Sequence, residues 1–390
     1  FCGMRKYVLL ALWTVLALSI AAQSQEQKIT ALLEQHLVEK GKRPVKNILV
    51  YVKNQANGFE YHGGVGVIGR NQTKIDEHYQ YNIASITKTF VATIILQLYE
   101  EGKIDLDRPF TEYIDHYQAQ SLTRLHVLAG KDYTDSITTR MLLNHTSGIA
   151  DVFTDAEFRF NLSVFFRPKR QYTAAKMFRK YYRYGLNKRP HNIPGQGYHY
   201  SDIGYMILGF IIEEITGKHL PEVIRHRIIA PISLSNTYFE YYENSTGSGH
   251  RIDAYLNRIN ITKRVNTSYE WAGGGLVATT KDIAQFFQSL FACRLFKDDQ
   301  TLALMIDMSA TEKFGVSYGL GIVKYTFNGI TFYGHGGFYG SLTMHSPAKN
   351  ITLSANIGQA NPPYNTTEII EEILRLASDS SLSPSTNGNN

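Results

Sequence analysis

Strand-like runs occur near both ends of this 390-residue chain and are missing from its long middle. The runs 47–53 (NILVYVK) and 64–70 (GVGVIGR) are separated by Asn57-Gly58, a hairpin signal within a longer loop. Far downstream, 315–327 (GVSYGLGIVKYTF) and 330–333 (ITFY) alternate and flank Asn328-Gly329, a strong hairpin turn. Two more strands are expected at 341–345 and 350–356. The hairpins imply a largely antiparallel sheet. Helical spacing at 26–40 and 366–377 supplies the helices that cover it. The predicted class is α/β of the α+β type: a largely antiparallel sheet flanked by N- and C-terminal helices, with an inserted, mainly helical domain. The sheet domain is expected to take 25–104 and 266–377, and the insertion 105–265.

Composition allows this. A chain that is 43% hydrophobic can bury a large core. Residues 1–3 precede Met4 and read as translated upstream sequence. From Met4, Arg5-Lys6, an apolar run from Tyr7 to Ala22 and small polar residues read as a signal peptide over 1–24. The run is short for a membrane span, and no second segment is long enough, so no stable span is expected after cleavage. The expected location is secreted or extracellular, and periplasmic for a bacterial chain. Loss of the leader leaves Cys293 alone, so no internal disulfide is expected. Eight Asn-x-Ser/Thr sites, at Asn71, Asn144, Asn161, Asn244, Asn260, Asn266, Asn350 and Asn365, suit a glycoprotein. The tail 378–390 is disordered in composition.

The net charge of +6 says little about nucleic acid, and no nucleic-acid motif accompanies it. Residues 159–189 hold ten Lys/Arg and no Asp/Glu, interleaved with Tyr and Phe. This stretch reads as a solvated face, with attraction of an anionic substrate or surface polymer as the functional alternative. The histidines are scattered, so neither metal nor cofactor is expected.

The chemistry concentrates at 81–98 (YNIASITKTFVATIILQL). Ser85 opens an apolar helix and Lys88 follows three residues later, on the same face. A cation in a helix's first turn opposes the dipole. As chemistry it makes sense, because the same field and apolar neighbours favour the neutral amine, which can take a proton from serine. In isolation the pair reads first as an ordinary N-cap.

Four later motifs, in order, change that reading: Leu142-Leu143-Asn144-His145-Thr146-Ser147-Gly148, Tyr200-Ser201-Asp202, Ala272-Gly273-Gly274-Gly275-Leu276 and His335-Gly336-Gly337. With Ser85-Ile86-Thr87-Lys88, over roughly 26–377, the chain resembles the serine β-lactamase and penicillin-binding-protein family. It is most similar to class C β-lactamases, DD-carboxypeptidases, D-aminopeptidases and related esterases. The resemblance implies Ser85 as acylated nucleophile, Lys88 as the group that helps deprotonate it, and Tyr200 as shared acid/base. It implies an oxyanion hole of the Ser85 and Phe338 N–H groups. Asp202, His335, Gly336 and Gly337 would position the substrate, with the glycines admitting its backbone. His145 and Ser147 read as structural, and a motif near the core argues against a glycan on Asn144.

Two departures stand out. Asp202 occupies a place where the family often has Asn; a carboxylate beside Lys88 favours the ammonium and weakens it as a base. His335 replaces lysine, which resembles the peptidase and esterase branches more than antibiotic-selected lactamases. The expected function is a secreted serine hydrolase acting through an acyl-enzyme on a small ester, amide or D-amino-acid peptide. The alternatives are a β-lactamase or DD-carboxypeptidase, and a catalytically idle scaffold. The expected partner is the small-molecule or peptide substrate, with oligomeric state open.

Overall fold

The structure is a computed structural model that describes residues 24–114, 122–262 and 264–379. The expected leader and tail lie almost wholly outside these residues. Helix α1 (Gln25–Gln35) opens with a capping box: Ser24 Oγ accepts from Gln27 N–H, and the Gln27 side chain accepts from Ser24 N–H. Helical spacing extended this element to residue 40, but it stops at Gln35. The chain turns extended there, and Val38 exchanges backbone hydrogen bonds with Val45.

Strands β1 (Asn47–Asn54), β2 (Phe59–Ile68) and β3 (Thr73–Lys74) follow, then α2 (Thr87–Glu100). The middle holds α3 (Glu157–Phe165), α4 (Ala174–Arg183) and α5 (Asp202–Thr216). Helix α5 ends at Gly217, whose φ of 65° is the left-handed cap that glycine adopts without strain. After α6 (Thr280–Phe291) come β4 (Val323–Phe327), β5 (Ile330–Gly337), β6 (Ser341–Ser346), β7 (Ile351–Ile357) and α7 (Thr366–Ser378).

The strands form one antiparallel sheet in the order β4-β5-β6-β7-β1-β2-β3. Its centre is the β7–β1 pair, with Val50 opposite Ala355, so the first and last strands of the fold meet in mid-sheet. Three strand boundaries differ from the sequence reading. The run expected at 64–70 starts at Phe59 and ends at Ile68, because pairing of Asn54 with Phe59 closes a short turn at 55–58 in place of the longer loop. The run 315–327 pairs as a strand only from Val323, because Gly321 (φ 75°) and a Gly319 N–H bond to Ile322 O turn the chain just before it. The run at 330–333 continues to Gly337, so His335-Gly336-Gly337 lies inside β5 rather than after it.

The two sheet faces are covered differently. On one, Ile29 and Leu33 of α1 join Ile370, Ile373 and Leu374 of α7 over Val50, Val52, Leu353 and Ala355. The other face carries α6, and the apolar cluster behind it takes in α2 and α5 and runs on into the middle region through Leu142, Phe160 and Tyr181. Each fully buried Leu or Ile contributes about 1.5–3 kcal/mol relative to exposure. Helix α2 is buried nearly all round, its lysine included, as expected of a helix at the centre of a core.

Candidate active site

Ser85 sits in a single 3₁₀ turn, Ala84–Ile86, that feeds directly into α2. The preceding Ala84 has φ 48°, a left-handed conformation that strains a side-chain-bearing residue. Lys88, in the first turn of α2, has no solvent exposure. Its Nζ donates to Ser85 Oγ at 2.9 Å, to Asp202 Oδ1 at 2.5 Å and to the Gly273 carbonyl at 2.8 Å. Three N–H donors thus meet three acceptors, which is what a buried ammonium requires. The site needs glycine at 273: a Cβ there would lie 2.5 Å from Asp202 Oδ1.

Asp202 comes from the start of α5, where a carboxylate is favoured by the dipole. Its own N–H donates to Asp151 Oδ2 at 2.7 Å. Asp151 is fully buried and also accepts from the Phe153 and Thr154 N–H groups. Burial, and then the Asp202 charge, push the Asp151 carboxyl up.

Lys88 Nζ lies 4.9 Å from the centre of the Tyr200 ring, and the Ser85 hydroxyl is near enough to the phenol to oppose its rise. Burial and the Asp202 charge hold that phenol well above the ordinary range, so it is protonated at rest. The Tyr200 ring lies against His145, with ring centres 4.1 Å apart. His145 Nδ1 accepts from Ser201 N–H, and burial together with the Lys88 charge keeps the imidazole neutral. His145 therefore fixes the backbone and the ring of the Tyr200 segment. Ser147 Oγ accepts from Ile149 N–H in the same turn, and the Asn144 side chain is buried and accepts from Thr146.

His335 does not present a charge to a substrate. It is 4% exposed, Nε2 meets the Tyr318 hydroxyl at 2.9 Å, and Nδ1 meets Gly336 O at 2.6 Å. Burial first, and the Lys88 charge second, push it down to about 3. The cationic place implied by the resemblance is thus held by a neutral, internally bonded ring. Past it, Gly336 and Gly337 pair with β6, whereas the β4 pairing ends at Gly334. A Cβ at Gly337 would lie 2.4 Å from Ile83 O, so only glycine lets this strand approach the Ser85 turn. Phe338 follows with its ring exposed, which puts its N–H one residue beyond that contact.

Two residues beside this cluster escaped the sequence reading: Asp151, described above, and Glu270. Glu270 is half-buried, its carboxylate accepts from the Tyr339 hydroxyl, and burial of that carboxylate pushes it up to about 8. Its Oε2 has no hydrogen-bond partner among the described residues. Neither residue belongs to a spacing pattern that would single it out.

The histidines, scattered in sequence, are not all scattered in space. Asp155, His191 and His199 bring donor atoms within 4.8 Å of one another, close enough to be considered for a metal ion. Both Nε2 atoms lie 3.0 Å from the same Asp155 Oδ2. The rings are stacked at 11°, so their in-plane lone pairs run side by side and one ring would have to turn to share an ion. A surface hollow of 1220 Å³ lies elsewhere, between the end of α2 and residues 297–307. It holds no counterpart of the Ser85–Lys88–Tyr200 set.

Comparison with known proteins agrees with this geometry. Residues 30–372 match the protein family described as Beta-lactamase. The chain belongs to that family. Among solved members of the fold, it is 25% identical to a D-stereospecific amidohydrolase from Streptomyces sp., with TM-score 0.70 over 87% of this chain and 97% of that one. It is 22% identical to D-amino acid amidase from Ochrobactrum anthropi SV3, with TM-score 0.71 over 90% and 98% of the two chains. A putative D-alanyl-D-alanine carboxypeptidase of Salmonella agona is 27% identical over 76% of this chain and 74% of its own length. Protein flp of Staphylococcus aureus is 26% identical over 59% of this chain, and the match spans only 41% of that protein.

Proposed function

We propose that this β-lactamase-family chain is a serine hydrolase that forms an acyl-enzyme at Ser85 from a small, uncharged ester, amide or D-amino-acid peptide. The observation that carries the proposal is Lys88 Nζ set between Ser85 Oγ and Asp202 Oδ1, with the Tyr200 ring 4.9 Å from the same Nζ. The reactive form is the one in which the Lys88–Tyr200 pair has already lost one proton to solvent; Ser85 Oγ then attacks the carbonyl carbon as its own proton passes to that pair. Tyr200 returns a proton to the leaving alkoxide or amine, and water then cleaves the acyl-serine. The Ser85 and Phe338 N–H groups are the candidates for stabilising the tetrahedral oxyanion.

A neutral His335 favours substrates without a carboxylate at that position, which separates this reading from β-lactamase or DD-carboxypeptidase action. The likeness to D-stereospecific amidohydrolases supports amides of D-amino acids as the first class to try. Secretion belongs to the same proposal, supported by the exposed sequon residues Asn71, Asn244, Asn350 and Asn365. The test is a panel of esters, D-amino-acid amides and a cephalosporin, alongside a fluorophosphonate probe read by intact mass. Labelling of the wild type but not of Ser85→Ala, with turnover of an ester or amide, supports the reading. Folded protein that no probe class labels would return the chain to the idle-scaffold alternative.

A further inference from the structure

Helix α3 carries its apolar residues on two opposite sides. Phe160 and Val164 are buried, and Phe160 packs edge-on to Tyr269 and Phe153. Phe158, Leu162, Phe165 and Phe166 point away, with exposures of 78%, 44%, 77% and 71%. The spacing i, i+4, i+7, i+8 places these four on one stripe. Three aromatic rings this exposed in one stripe are uncommon on a free surface and mark a site of interaction. The stripe is followed at once by exposed Arg167, Lys169 and Arg170, and it opens the 159–189 segment of ten Lys/Arg and no acid.

We propose that this face docks the protein on an anionic lipid surface, with the α3 stripe entering the headgroup–acyl boundary and the cations meeting lipid phosphates and carboxylates. An amphipathic helix with aromatic and leucine residues on one face and basic residues beside it is the pattern that lies in a membrane interface. Charge decides against a second copy as the occupant, since pairing the stripe with itself would bring two such basic segments together. No helix among the described residues is long and apolar enough to cross a membrane, so the association is peripheral. The docking face shares a support with the active site. Asn266 N–H donates to Pro168 O and Tyr172 N–H donates to Ser268 Oγ, on the segment that leads to Gly273 and its bond from Lys88.

The test uses the full chain made without N-glycans, because the sequon residue Asn161 flanks the stripe. Sedimentation is measured with phosphatidylcholine vesicles, with and without about a third phosphatidylserine, at about 0.15 M salt. The wild type is expected to bind the anionic vesicles about tenfold or more tightly than the neutral ones. Combined Phe158→Ser, Phe165→Ser and Phe166→Ser should weaken that binding by about tenfold or more, with circular dichroism and turnover of a soluble ester unchanged. Arg167→Glu with Arg170→Glu should weaken only the anionic component. The proposal is overturned if the wild type stays in the supernatant with anionic vesicles, or if the triple-serine variant sediments like wild type. It is equally overturned if sedimentation velocity shows a dimer that the triple variant dissolves.

Discussion

Two helix starts meet at the buried ammonium of Lys88, and they are opposites. Helix α5 begins with Asp202, a carboxylate where the dipole favours one, and its first N–H groups are taken up by Asp151. Helix α2 carries Lys88 in its first turn, a cation where the dipole opposes one, and no side chain caps it. The favourable start compensates the unfavourable one across the 2.5 Å contact between them. A local rule is broken at the reactive end, and a group 114 residues away supplies what makes that tolerable.

Breaking the reactive end should have the largest effect. Ser85→Ala is expected to lower turnover about a thousandfold or more and to abolish acyl-enzyme formation; a covalent adduct on the variant, seen by intact mass, would move the nucleophile elsewhere. Lys88→Met strands Asp202 beside the buried Asp151, at a cost to stability of roughly 3–5 kcal/mol. Adding Asp202→Asn should recover a good part of that in urea unfolding, and additive losses in the cycle would mean the two ends are not coupled.

Glu270 provides a pH-dependent counterpart. Its folded value of about 8 lies above the ordinary 4.5, so the folded state binds the extra proton between those values. Stability should therefore fall as pH rises from about 4.5 to about 8. Glu270→Gln should flatten that slope, and an unchanged stability–pH curve would show that the carboxyl does not titrate in this window.

Asp202→Asn sharpens the comparison more gently. After burial, the Asp202 charge is what holds the proton on Tyr200, so the rate should climb with pH above neutral. The amide should move that climb to lower pH, and superimposable pH–rate profiles would refute the role given to Asp202. The smallest effect belongs to Phe338→Ala, whose exposed ring is expected to change KM by a few-fold for bulky substrates and to leave kcat near wild type.

Local features were legible in the sequence. The β1–β2 and β4–β5 hairpins and the serine–lysine pair follow from turn residues and i,i+3 spacing. Tyr200 and Asp202 were legible only as one motif in an ordered set, since nothing in their spacing points to Ser85. The Gly273 carbonyl had no signal, because a backbone acceptor leaves no side chain to read. Asp151 and Glu270 were missed because one acid in a polar loop looks like any other until burial singles it out. The basic stretch was read as solvated. Three of α3's five apolar residues, Phe158, Leu162 and Phe165, face outward as well, and no charge count reveals that.

By itself the sequence determined which segments become strands and helices, and that Ser85 and Lys88 share a helix face, because these depend on neighbours within a few residues. Only the tertiary structure decided which protons the site holds. Lys88 sits among three acceptors, Tyr200 stays a phenol, and His335, a substrate-binding candidate in the sequence, is a neutral strut. Protonation is set by burial and by charges brought from distant segments into a low-dielectric core, and those exist only once the chain has folded.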